Sequence, residues 1–113
     1  MAILTGIDMV YIPDVKKMLG NDKLLKNFFH QSELRNEPQH MAGIIAAKEA
    51  FFKAVGIVPK FLEIEVVNDA SGRPRIKSSP QFKKYKSCDV SISHERNYAV
   101  AVVVMEKHKW KQF

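Results

Sequence analysis

Cysteine occurs once in the 113-residue sequence, at Cys88. One thiol cannot build an internal disulfide framework or supply the thiolate set of a Cys-based zinc site, so a reducing cytoplasm is the expected setting. Long apolar runs are missing as well. No stretch approaches the roughly 20 residues that cross a bilayer, and no membrane association is expected. The opening M-A-I-L-T-G-I-D-M-V-Y-I has no basic leader region and is interrupted by Asp8, so it reads as a strand and not as a signal peptide. Internal repeats, low-complexity tracts and linkers are absent, and residues 1–113 are expected to form a single domain. Acidic residues are the minority: 12 Asp and Glu against 18 Lys and Arg leave a net charge of +6. That balance favours an anionic partner, whether nucleic acid, a phosphorylated cofactor, an anionic membrane or an acidic protein. No helix-turn-helix, RRM or zinc-finger pattern selects nucleic acid from that set.

What is present is a patterned chain. Residues 2–12 are apolar and β-branched, with Leu4, Gly6, Asp8, Val10 and Ile12 on one face and Ile3, Thr5, Ile7, Met9 and Tyr11 on the other. Pro13 and Asp14 open a short helix that Gly20 closes, and Asn21 or Asp22 caps another running through Phe29. Pro38 breaks the chain before the central helix, residues 41–56. Residues 61–67 alternate as a half-exposed strand, the cluster N-D-A-S-G marks a turn, and residues 73–77 form a short strand. Residues 89–94 and 98–105 form a hairpin across Glu95, Arg96 and Asn97. This order predicts an α+β domain, with a small, largely antiparallel sheet packed on the long central helix.

The central helix carries A-A-K-E-A-F-F-K-A-V-G, almost without a polar face. At about 100° per residue, Met41, Ile44, Ile45, Phe51, Phe52 and Val55 share a wide face, and Gly43, Ala46, Ala47, Ala50 and Ala54 share the opposite one. Glu49 and Lys53 fall on the boundary, and Lys48 falls within the large apolar face. One reading is structural: Glu49 and Lys53 form an i,i+4 pair of a few tenths of a kcal/mol, and Lys48 snorkels. The other is functional. Asp8 sits in mid-strand, where an ionised carboxylate needs a cation or donors, and V-S-I-S-H ends a strand at His94. A strand Asp, a helix Glu among lysines and a strand-end His are the parts of a magnesium–phosphate site.

At these residues the chain resembles the holo-acyl-carrier-protein synthases, the short single-domain 4′-phosphopantetheinyl transferases. G-I-D-M-V, A-A-K-E-A-F-F-K-A-V-G, N-D-A-S-G-R-P and S-I-S-H followed by Y-A-V-A-V stand in the family's order, nearly end to end. The resemblance implies an enzyme that moves the phosphopantetheine arm of coenzyme A onto a serine of an acidic acyl carrier protein and releases 3′,5′-ADP. Asp8 and Glu49 would hold Mg²⁺ or Mn²⁺, and Lys53 would complete the catalytic set by neutralising the phosphoryl group under attack. Lys48, Lys53, His94, Asn68, Gly72 and Pro74 would line the coenzyme. The alanines beside Glu49 would leave room for the ligand. A homotrimer with active sites between protomers is also implied, and it fits a helix with more apolar surface than one small sheet covers.

The chain departs from the family at two places. Ile44 stands where R-F-A-A-K-E-A has arginine, and Ile57-Val58-Pro59 follows Gly56 where the family commonly has G-T-G. Two alternatives stand beside the transferase. One is another Mg-dependent nucleotide transferase using the same acid–lysine clamp. The other is a basic nucleic-acid-binding module whose tail residues Lys107, Lys109, Trp110 and Lys111 make the contact; a solvated terminus is the simpler reading of that tail, and no nucleic-acid partner is expected.

Overall fold

The computed structural model describes residues 2–107. Lys109, Trp110 and Lys111 of the basic tail lie outside them. The elements run β1 (Ala2–Tyr11), α1 (Ile12–Lys16), α2 (Asp22–Leu25), α3 (Pro38–Val55), β2 (Ile64–Asn68), β3 (Pro74–Ser78), β4 (Tyr85–Glu95) and β5 (Tyr98–Lys107). Three-residue 3₁₀ turns occupy Gln31–Glu33, Phe61–Glu63 and Pro80–Phe82. The α+β expectation holds, but the strands divide between a three-stranded antiparallel sheet, β1-β5-β4, and a separate β2-β3 ribbon.

Helix α3 begins earlier than its apolar pattern suggests. Pro38 starts it and does not merely precede it, because a first-turn residue has no intrahelical acceptor for its N–H and proline has none to lose. Gly56 ends it in the left-handed region at φ +88°, its N–H donating to Phe52 O at 2.8 Å. α2, by contrast, stops at Leu25, four residues short of Phe29.

The small face of α3 lies on the sheet. A Cβ on Gly6 would sit 1.8 Å from Ala50 O and 2.8 Å from Ala54 N, and a Cβ on Gly43 would sit 2.9 Å from Ile92 Cγ2. Ala46, Ala47, Ala50 and Ala54 are buried in this contact cluster with Ala101, Val103 and Met105 of β5. The alanines therefore admit the sheet and not a ligand, which corrects the reading from the sequence. The larger residues are covered too. Phe51 and Phe52 meet Phe82 edge-on at 5.4 and 5.6 Å, while Met41, Ile44 and Ile45 pack with Val15, Leu25 and Phe29.

With both faces of α3 buried within one chain, the uncovered apolar surface lies elsewhere. The side of the sheet away from α3 exposes Ile3, Ile7 and Met9 by 60% or more, and carries the tilted Tyr11–Tyr98 pair at 5.3 Å with Val102 and Val104. Among the described residues, no helix is long and apolar enough to cross a membrane.

Candidate active site

Asp8 faces α3 from the middle of β1, in register with Ala101 of β5. Its carboxylate is 8% exposed. The Lys53 ammonium donates to Asp8 Oδ1 at 2.8 Å and to the Ile7 carbonyl at 3.1 Å. The i,i+4 pairing of Glu49 with Lys53 read from helix periodicity is thus replaced by a pair between helix and strand. Asp8 Oδ2 is buried and has no hydrogen-bond partner.

Glu49 is the second acid. Burial, then the close approach and negative charge of the Asp8 carboxylate, push its carboxyl up to about 7 against the opposing pull of Lys53. Two carboxyl groups crowded on one another cannot both ionise cheaply. A bound divalent cation relieves that cost, and the orphaned Oδ2 offers it a ligand. Among the described residues no cluster of three or more His, Cys, Asp and Glu converges. An ion held here would take its remaining oxygens from water and substrate, which suits Mg²⁺. The donor set fits.

Lys48 does not join them. Its side chain is wholly buried, and its ammonium donates to Glu33 Oε1 at 2.7 Å and to Phe28 O at 2.8 Å. It neither snorkels nor reaches a coenzyme. Burial lowers its pKa and Glu33 opposes the shift. Removing one partner of such a buried pair costs about 3–5 kcal/mol, so the lysine within the apolar face of α3 is a packing element. Glu33, which the sequence reading passed over, is its reason; the only local signal was a polar residue in a short turn.

The other expected residues gather around a cleft of about 290 Å³ lined by His40, Gly43, Ile44, Asn68, Pro74 and His94, among others. The β2–β3 turn is organised by Asp69, whose Oδ1 accepts from Ser71 N, Ser71 Oγ and Arg73 N. The Ser71 hydroxyl is the main cause holding that carboxyl down at about 2. Gly72 supplies the left-handed turn position at φ +87° and lies outside the cleft lining. Arg73 donates to Asp89 Oδ2 at 2.6 Å, tying the turn to β4 and hence to the strand of His94. His40 was also missed from sequence. It shares the Ile44 stripe one turn earlier, a signal hidden by placing the helix start after it. Burial, then Arg35, lowers its pKa.

These two groups do not meet within one chain. Asp8 lies on one edge strand of the β1-β5-β4 sheet and His94 on the other. On α3, Glu49 and Lys53 project to the side opposite His40, Gly43 and Ile44 at about 100° per residue. The acid pair and the cleft therefore open on opposite flanks of the helix.

Residues 5–103 match the model of the 4′-phosphopantetheinyl transferase superfamily. The holo-[acyl-carrier-protein] synthase of Nautilia profundicola is 38% identical over 113 residues, covering 92% of this chain and all of that one. The crystal structure of the Helicobacter pylori holo-[acyl-carrier-protein] synthase in complex with coenzyme A superposes with a TM-score of 0.83 at 33% identity, over 91% of this chain and 100% of that one. A Bacillus anthracis holo-(acyl-carrier-protein) synthase in complex with CoA (3′,5′-ADP) gives 0.79 at 35% identity, over 95% and 100%. The chain belongs to the holo-[acyl-carrier-protein] synthase family of that superfamily.

Proposed function

We propose that this enzyme transfers 4′-phosphopantetheine from coenzyme A to a serine of an apo-acyl carrier protein, with Mg²⁺ held by Asp8 and Glu49. One observation carries the metal-dependent part: the pairing of buried Asp8 with half-buried Glu49, in which Asp8 Oδ1 accepts from the Lys53 ammonium and Oδ2 has no partner. The serine Oγ–phosphorus bond forms as the bridging phosphorus–oxygen bond of the pyrophosphate breaks. 3′,5′-ADP leaves with the electron pair, and the serine proton passes to solvent. Asp8 and Glu49 fix the anionic end of the site, and Lys53 places a positive charge where phosphoryl charge is redistributed. A bound Mg²⁺ would neutralise pyrophosphate charge and ease ionisation of the serine. His94, Asn68 and Pro74 would receive the nucleotide end.

A homotrimer with sites between protomers is part of the proposal. The opposed flanks of α3 support it, since the acid pair of one copy needs the cleft of another. The exposed apolar face of the sheet around Ile7 and Met9 supports it too, as a contact surface for those copies. Exposed Lys16, Lys17, Lys23 and Lys26 on the α1–α2 segment give an acidic carrier a complementary surface. A single cysteine accords with a cytoplasmic setting. The test is incubation with coenzyme A, Mg²⁺ and apo-carrier, followed by mass measurement. The carrier gains one phosphopantetheine and EDTA prevents it; unchanged mass across several acyl carrier proteins overturns the reading.

A further inference from the structure

We infer that Glu33 is a positioning residue for the transfer: one buried carboxylate sets the helix that carries Glu49 against the strand that walls the cleft. This rests on the function proposed above. Glu33 is 2% exposed. Its Oε1 accepts from Lys48 Nζ and from His30 N, each at 2.7 Å, and its Oε2 accepts from Val66 N at 2.7 Å. Lys48 precedes Glu49 on α3. Val66 lines the cleft two residues before Asn68. The same carboxylate thus joins the turn Gln31–Glu33, helix α3 and strand β2.

The need for such a lock follows from the rest of the packing. Gly6 and Gly43 allow α3 and the sheet to approach closely, but a face of glycine and alanine has few ridges to resist sliding or rolling. Lys48 supplies directional constraint. It projects about 100° around the helix from Glu49, so rolling α3 to carry Glu49 away from Asp8 pulls the Lys48 ammonium from Glu33 and from Phe28 O. Charge-assisted bonds of this length are short and directional. At its other oxygen Glu33 sets β2, so the acid pair and the cleft wall keep one separation. Each composite site between protomers inherits that spacing from both its donors.

A purely structural pair would affect stability alone, and the variants Glu33→Gln and Glu33→Gln/Lys48→Met separate the two roles. The double variant leaves no unpaired buried charge and is expected to melt nearer the unaltered protein than the single variant. Its Kd for coenzyme A by calorimetry and its Kd for Mn²⁺ by electron paramagnetic resonance are both expected to weaken, about tenfold or more, with a matching fall in kcat. A folded double variant with both Kd values and kcat within about twofold of the unaltered enzyme overturns the inference. So does a shift in only one of the two Kd values, since the carboxylate would then serve one half-site alone. Neither binding measurement needs an acceptor, so they judge Glu33 separately from the transfer assay, in which the unaltered enzyme tests the proposed function.

Discussion

Lys53 is bound to Asp8, 45 positions away in sequence, and not to Glu49 one helical turn before it. The pairing leaves Glu49 without a hydrogen-bonded cation and Asp8 with one oxygen, Oδ2, that has no partner. On the proposed function, a bound cation would supply the compensation that Lys53 gives only to Asp8 Oδ1.

Glu49→Gln should therefore separate stability from activity. The amide removes the repulsion with Asp8 without changing volume, so the melting temperature at pH 8 should rise. The transfer rate should fall by about 100-fold or more, on the scale of losing one preorganised charge-stabilising group. Thermal melts and carrier mass kinetics on the same preparation check both halves. A variant that is less stable at pH 8 and still active would show Glu49 to be a structural acid.

The raised carboxyl also predicts a pH-dependent metal effect. Glu49 titrates in the folded protein near 7, against 4.5 for the unperturbed group. The folded state thus binds the extra proton between those values. The stability Glu49 contributes is full below about 4.5 and is lost as pH rises through about 7. Mg²⁺ held by Asp8 and Glu49 as proposed would compete with that proton, so the metal should raise the melting temperature more at pH 8 than at pH 5.5. An equal rise at both values would contradict the assignment.

Gly6→Ala should be more damaging than its single methyl suggests. The new Cβ would fall onto the Ala50 carbonyl oxygen at 1.8 Å, and backbone cannot swing aside as a side chain can. Separation of β1 from α3 should cost about 3 kcal/mol or more and move Asp8 away from Glu49. Denaturant unfolding and Mn²⁺ affinity both report it. Unchanged Mn²⁺ binding would show that the close approach does not set the acid pair.

Sites shared between copies should complement one another. Asp8→Ala and His94→Ala chains, each inactive alone, should recover part of the activity when refolded together, because some interfaces then join an intact acid pair to an intact cleft. Ile7→Asp, on the exposed face of the sheet, should yield smaller particles by light scattering and little transfer. Absence of any recovery in mixed assemblies, with trimers present, would place both halves of the site in one chain.

Carrier docking should be sensitive to salt. The Debye length falls from about 10 Å at 0.1 M to about 3 Å at 1 M, so exposed lysines on α1 and α2 lose their reach. The KM for carrier should rise far more than that for coenzyme A. A carrier KM indifferent to salt would remove the electrostatic part of the docking.

Much of this was legible in the chain itself. The alternation of β1, the end of α3 at Gly56 and the turn chemistry of N-D-A-S-G are local, set by backbone sterics and by the period of apolar residues. Asp8, Glu49 and Lys53, and Asn68, Pro74 and His94 of the cleft, could be named because their types match a chemistry and their order matches a family, whereas His40 could not. Tertiary structure decided what those residues bind. Periodicity assigned Lys53 to Glu49 and left Lys48 to snorkel; folding brought Asp8 to the first and Glu33 to the second, through contacts spanning 45 and 15 positions. Which face of α3 met the sheet was equally hidden, since both faces are apolar and only the steric demand at Gly6 distinguishes them. A buried charge takes the nearest partner that the fold presents in three dimensions, and the linear pattern carries no record of that distance.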